Sequence, residues 1–552
     1  SNPHAYSRRD FMKGMLAGGV AACSAGLLTA CGSASTDSSS SATSSSGSSG
    51  STASDSVSEP VTLTFFDKNT SAGFDDPVAR TITETTGVQI EIQQPTGNPD
   101  EKLVLMLSGN ELPDIVLMDR RSDIVNQYIE AGALIPLNDL IDQYGSNIRE
   151  MYGETLNLSR YQDGQNYYLN NWYGVDPTPD RAVNIRMDLL KELGYGEKAE
   201  QGDCFTQEEF VEMLREFKEK YPTIDGKETI PFTVNGEYMD TVLSTFRGMY
   251  GMKNYYINED DEVFFQVRDP RYLEMMQFIN QLYTEGLLDN EWATTKSDLF
   301  DEKLASGVVF ACNDGTPSSV NYAFQSEEDA DPDRQFYMFR VVADGVDPDA
   351  TTFSPRSSLG WDAIGITSSN EYPVETIKLL DFLASEDGQY LLMWGVEGKD
   401  WTIENGVHVP SEETLPGFRD DWNGYSSETG IRKWTWCIKN GYGSDGTPYD
   451  LVTQYELDEV EQHARISMEG SVWDTAPYDD IAPQSGTLDA LAEQKCTDII
   501  DQYFAKMAYA SSSEEVAAFY EQMIAEIDAN DAASVEQIYT ENHQANLELW
   551  AD

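Results

Sequence analysis

The chain has 552 residues, too many for one hydrophobic core, so two large lobes or three ordinary domains are expected. Lys and Arg total 36 against 96 acidic residues, a formal charge of −60 spread along the chain, which excludes a nucleic-acid partner because phosphate neutralisation needs basic density. Hydrophobic residues at 40% and aromatics at 11% exclude a wholly disordered chain, and beyond the N-terminus no uncharged run is long enough to cross a bilayer.

Residues 7–13 read SRRDFMK, the twin-arginine export pattern, and residues 14–30 carry no charge. That run is too short and too rich in Gly and Ala for a stable transmembrane helix, so residues 1–30 are expected to be a removable signal peptide. Leu28, Thr29, Ala30 and Cys31 match a bacterial lipobox, in which cleavage leaves Cys31 to receive a diacylglycerol. Each buried methylene of such a lipid contributes about 0.8 kcal/mol of anchoring. Residues 31–59, nearly all Ser, Ala, Thr and Gly, cannot bury a core; they are expected to form a flexible tether with a reach of about 30 Å. The expected location is the extracellular face of the cell membrane. No CxxC pair occurs, and Cys204, Cys312, Cys437 and Cys496 are expected to be buried free thiols.

From residue 60 strands and helices alternate. Val61 to Phe66 alternates as a strand with Asp67, Lys68 and Asn69 at its carboxyl end. Phe74, Val78 and Ile82 mark a helix that Gly87 stops, and residues 88–92 alternate again. Leu103, Leu105 and Leu107 sit in a second helix closed by Ser108 and Gly109, before a strand over residues 114–118 that ends at Asp119. Repeated βα units of this size predict a mostly parallel sheet with helices on both faces. Ligands collect at the carboxyl ends of such strands, which makes Asp67, Asn69 and Asp119 candidate ligand-binding residues. Turn or helix-cap chemistry is the equally natural alternative for each.

Residues 360–401 combine a short apolar strand, a polar turn at Ser368, Ser369 and Asn370, and a helix opened by Pro373 with Val374, Ile377, Leu380 and Leu383 on one face. The tail MWGVEGKDW carries two glycines that predict a tight bend where the backbone approaches a neighbour. This segment, with SGNELPDIVLMD at 108–119 and EAGALIPLNDLIDQYGSNIRE at 130–150, resembles the extracellular solute-binding proteins of ABC importers, particularly the large carbohydrate-type lipoproteins. The resemblance covers roughly residues 60–545. It implies an α/β, two-lobe, periplasmic-binding-protein-like fold of the type II, Venus-flytrap kind with a helical C-terminal extension. Lobe 1 is expected over residues 60–120 and 355–403, and lobe 2 over 121–354 and 404–552, with a hinge at the crossings.

In the second lobe Trp172 and Tyr173 precede IRMDLLKELG, another segment similar to the family. Thr206 and Glu209 form a capping box at the start of a helix whose buried stripe is Phe210, Leu214 and Phe217. Relatives often carry a calcium loop just after this helix; YPTIDGKETIPF lacks the alternating oxygen ligands of such a loop, so neither a metal nor a cofactor is expected. FDEKLASGVVFACND at 300–314 resembles a further family strand with Asn313 and Asp314 at its end. Sugars offer flat C–H faces to aromatic rings and hydroxyls to Asp, Asn and Arg. Trp172, Tyr173 and Trp361 are the expected stacking residues, and Arg186, Asn313, Asp314 and Asp362 the expected polar contacts; core packing or a structural ion pair is the alternative for each. Trp434 and Trp436 are expected in the core. Leu488, Leu491, Cys496, Ile499 and Tyr503 form one C-terminal helical stripe, and Ser534 with Gln537 is expected to cap a last helix.

Acidic residues are so numerous that pairs suited to glycosidase chemistry are unavoidable. No GxSxG, HExxH or GxxxxGK[ST] occurs, however, and His408, His463 and His543 are scattered. The expected function is capture of a carbohydrate, an oligosaccharide above other polar solutes, by a lipid-anchored monomer that delivers it to ABC permease subunits. A secreted glycoside hydrolase and a cell-surface glycan-adhesion protein are the alternatives.

Overall fold

The computed structural model describes residues 60–69, 73–325 and 331–551; the expected signal peptide, Cys31 and the tether lie outside them. Val61–Asp67 pairs in parallel with Val88–Gln93 on one side and Ile115–Asp119 on the other. Asp362–Ile366 returns antiparallel to Ile115–Asp119, and Leu169–Asn171 completes a five-stranded sheet at its far side. Side chains alternate across a strand, so this sheet buries both faces. Leu63, Phe65, Leu117 and Ile364 join one core with Val78, Ile82, Ile377 and Leu380, while Phe66, Val116, Met118 and Ala363 join a second with Leu103, Ile124 and Tyr128.

The local signals behind these elements are found in place. Asp76 caps Pro77–Thr86 by accepting from the Ala79 N–H at 2.9 Å, and Gly87 ends that helix at φ +71°. Pro373 occupies the first turn of Pro373–Ala384. Gly395 turns the chain at φ +95°, where an added Cβ would lie 2.5 Å from an Asp400 carboxylate oxygen, so the expected close approach is there.

A second, four-stranded sheet runs in the order Phe336–Phe339, Val183–Arg186, Val309–Asn313, Ile230–Val234. Its last two strands are parallel; Val183–Arg186 opposes both of its neighbours. Ile185, Phe232 and Phe339 pack with Phe210, Phe217 and Phe246, and the same core continues into the C-terminal helices through Cys496, Tyr503, Met523 and Tyr539. The fold is therefore the expected α/β type with a helical C-terminal extension. Leu488 and Leu491, assigned to the packed stripe, are instead 84% and 67% exposed, because the first turns of Leu488–Ala508 run past the core. The last helix starts at Ala532 after a left-handed Asp531, with no side-chain cap; Ser534 donates to Asp489 at 2.8 Å instead of capping.

The lobe boundaries also differ from those expected at 121 and 404. Ile124 to Tyr173 and Leu415 to Leu451 pack into the two cores of the first sheet. An amphipathic helix carries no mark of which sheet it covers, so the boundary is a property of packing. We place the crossings between Tyr173 and Ala182, between Phe353 and Ala363, and between Leu451 and Val460. Beside them, Phe353–Arg356 and Val472–Asp474 form a two-stranded parallel ribbon.

Candidate functional site

Strand direction decides which residues meet. The carboxyl ends of Val61–Asp67, Ile115–Asp119 and Leu169–Asn171 lie at one edge of the first sheet together with the amino end of antiparallel Asp362–Ile366. The register sets Asp362 directly opposite Asp119 on one side and Asn171 on the other. Asp362 is fully buried and receives Lys68 Nζ at 2.8 Å and Asn69 Nδ2 at 2.9 Å. Burial raises its carboxyl pKa, with the Lys68 charge opposing that shift. Asp67 accepts from the Asn69 N–H at 2.8 Å and from the Trp436 indole N–H at 2.6 Å. Asp119 accepts from the Arg121 N–H at 3.0 Å, a local turn bond. Asp67, Asn69, Asp119 and Asp362 are thus neighbours at one edge, each also holding a turn or an ion pair.

Trp361, immediately before Asp362, is 38% exposed and stacks on Trp172 with centroids 5.5 Å apart and planes at 21°. Its backbone is clamped: the Arg120 N–H donates to Trp361 O at 2.9 Å and Arg120 Nε donates to Gly360 O at 3.2 Å. A Cβ on Gly360 would fall 2.1 Å from Asn171 O. Arg120 also pairs with Asp479 and Asp480 at 3.1 and 2.9 Å, tying this edge to the segment that follows the parallel ribbon. Trp172 has φ +61° and joins the first core together with Tyr173. Tyr173 is buried there and stacked on Tyr152 at 3.9 Å, away from the surface its predicted stacking role requires.

Residues 430–440 were missed as site residues. Trp434 and Trp436 are fully buried, as expected, but their indole N–H groups donate to Asp76 at 2.8 Å and Asp67 at 2.6 Å, so this segment seals the same sheet edge. The Arg432 guanidinium lies 5.3 Å from the Trp172 ring and 5.2 Å from the Trp422 ring. No local pattern marks these residues, since Asp67, Asp76 and Trp172 lie far upstream.

On the second sheet the corresponding edge holds the carboxyl ends of Ile230–Val234 and Val309–Asn313 and the amino end of Val183–Arg186. Asn235 Nδ2 donates to Asp314 at 3.1 Å there. Asn313 is fully buried and accepts from Thr245 Oγ1 at 3.0 Å, which makes it a structural bond. Arg186, by contrast, ends a strand running the other way and sits at the opposite edge. Its Nε donates to Asp188 at 2.8 Å, and its guanidinium covers the Phe324 ring at 4.8 Å. Arg186 is a structural ion pair, the alternative its sequence position allowed.

Among the described residues no group of three or more His, Cys, Asp or Glu side chains is placed to hold a metal ion, and the YPTIDGKETIPF stretch contains a two-stranded hairpin. Cys204, Cys312, Cys437 and Cys496 are all free thiols; the last three are buried and Cys204 is half-buried. A cavity of about 480 Å³ lies in the second lobe among Gln207, Tyr250, Glu274 and Asn280, and none of the sheet-edge residues lines it.

Comparison with known proteins places this architecture. The chain is 22% identical over 350 residues to Lipoprotein LipO of Bacillus subtilis, covering 61% of this chain and 66% of that protein. It is 25% identical over 290 residues to the fructooligosaccharide ABC transporter substrate-binding protein FusA of Streptococcus pneumoniae, covering 48% of this chain and 53% of that one. The alignments thus span just under two thirds and about half of the length of these curated relatives. An HMO-binding, ABC-transporter-associated solute-binding protein from Bifidobacterium longum infantis shares the fold with a TM-score of 0.62 at 15% identity, over 88% of this chain and 99% of that chain. The alginate-binding protein AlgQ2 does so with a TM-score of 0.57 at 22% identity, over the same 88% and 99%. Residues 67–390, more than half of the chain, match the pattern of the bacterial extracellular solute-binding protein family, and the chain belongs to that family.

Proposed function

We propose that the protein captures an oligosaccharide between the facing edges of its two sheets and passes it unaltered to ABC permease subunits. A lipid on Cys31, at the end of the tether, holds it at the extracellular face of the membrane. The observation that carries this reading is Trp361: Trp172 backs its ring and 38% of the residue stays exposed, beside Lys68 and Asn69, which hold buried Asp362. A flat apolar face flanked by the Asn69 amide and the Lys68 ammonium, both held by buried Asp362, matches a sugar ring with its C–H face and hydroxyls. The names of the fructooligosaccharide-binding FusA and of the HMO-binding protein support the same ligand class. A ligand that touches both edges only when the lobes are closed shifts the hinge equilibrium by its differential affinity.

The test is a thermal-shift screen of the mature protein against mono- and oligosaccharides, followed by chromatography of the recovered glycan. Ligand at 100 times its Kd stabilises the folded state by about 2.7 kcal/mol. The expected result is a raised Tm with at least one oligosaccharide that is recovered at its original length. No shift with any glycan overturns the ligand class, and shortened products establish the hydrolase alternative.

A further inference from the structure

We propose that Arg432 is a positioning residue for the ligand-facing surface of Trp361, acting through Trp172; the inference rests on the oligosaccharide reading above. Four groups stand in a row: Trp361 to Trp172 at 5.5 Å, Trp172 to the Arg432 guanidinium at 5.3 Å, and the guanidinium to Trp422 at 5.2 Å. Of the first three, only Trp361 offers a substantial surface to a ligand. Trp172 is 6% exposed and the Arg432 side chain 8%, so these two serve as backing.

The row is anchored at the arginine. Arg432 Nε and one terminal nitrogen donate to both carboxylate oxygens of Asp450 at 3.2 and 2.8 Å. Asp450 in turn caps Leu451–Gln454 through the Thr453 N–H, and the Arg432 N–H donates to Leu392 O at 2.8 Å. With its edge committed to Asp450, the guanidinium presents its π face to the indoles, a contact that a planar, delocalised cation makes and an ammonium does not reproduce. The pair also shares a backbone feature with nine other non-glycine residues among those described. Trp172 and Arg432 both adopt left-handed backbone, at φ +61° and +59°, a conformation that non-glycine residues hold only where the surroundings enforce it. The two strained positions meet face to face behind the exposed ring.

Two indoles stacked this closely couple their excited states, so the part of the circular-dichroism couplet that Trp172→Phe removes reads the Trp172–Trp361 geometry without any ligand, the Trp434–Trp436 pair at 5.4 Å supplying the rest. The experiment uses the mature protein with Arg432→Lys and Arg432→Gln, and takes Trp172→Phe as the reference for a lost couplet. Arg432→Lys retains charge against Asp450 and remains informative where Arg432→Gln fails to fold. The expected result is that Arg432→Lys loses most of this Trp172-dependent part of the couplet, with oligosaccharide affinity reduced roughly threefold to tenfold by calorimetry. A couplet and an affinity both equal to wild type overturn the proposal. Lost affinity with an intact couplet overturns it too, because Arg432 then acts on the ligand directly. If wild type binds no oligosaccharide, the ligand reading falls, and the couplet alone still decides whether Arg432 holds the rings.

Discussion

Trp361 and Tyr173 show how differently two aromatic side chains picked for the same task are placed. Trp361 stays 38% exposed, so its truncation removes ligand contact while Gly360 and Arg120 go on clamping the backbone. Trp361→Ala is expected to weaken oligosaccharide binding by about 0.5–1.5 kcal/mol in calorimetry, with cooperative unfolding retained. Tyr173 is buried, and its hydroxyl has no hydrogen-bond partner. A buried polar group without a partner costs its desolvation, so Tyr173→Phe is expected to leave affinity unchanged and to raise unfolding stability by up to about 1 kcal/mol in urea titration. The residue types were legible in the sequence, but the side they face was not. Trp172 and Tyr173 are chain neighbours in one core that stack on different partners, Trp361 and Tyr152, and Arg186 lies on a strand whose direction only pairing reveals.

At the scale of elements, cap chemistry reads directly from the chain. Thr206 and Glu209 make the reciprocal capping box that their spacing announces, at the start of Gln207–Lys220. The hairpin of Trp401–Glu404 and Val407–Pro410 is held by a contact no local pattern shows: Asp445, from a distant loop, accepts from the His408 N–H at 2.8 Å and from the Thr447 N–H at 2.9 Å. Burial alone would raise the Asp445 carboxyl; the hydrogen bonds from Thr447 and His408 outweigh it and hold the group well below the usual carboxylate range. A carboxyl whose folded pKa is depressed stabilises the fold above its unfolded value, about 3.9, and that contribution is lost as pH falls below it. The stability gap between wild type and Asp445→Asn, measured by denaturant titration from pH 6 down to pH 2.5, is therefore expected to be full at the upper end and to shrink below about pH 4. A gap independent of pH would contradict the role assigned to the ionised carboxylate. The 430–440 segment is the opposite case to the capping box, since its tryptophans and Arg432 acquire meaning only against Asp67, Asp76 and Trp172.

For the whole molecule, three crossings and one parallel ribbon join the two sheets, and Arg120 reaches from the first sheet edge to Asp479 and Asp480 beyond that ribbon. Closure on a ligand is expected to lower the radius of gyration in small-angle scattering when a bound oligosaccharide is added at saturation; an unchanged profile with confirmed binding would remove hinge closure from the mechanism.

What the sequence determined by itself was the βα order, the capping box at Thr206 and Glu209, the close approach at Gly395, the split into more than one core and the resemblance to the solute-binding family. Hydrophobic period and cap chemistry are properties of short stretches, and they survive without knowledge of the rest. Only the tertiary structure decided that residues 124–173 and 415–451 cover the first sheet, that Arg186 faces away, and that Arg432 backs Trp172. Those outcomes depend on strand direction and on partners brought together through space, which no window along the chain contains.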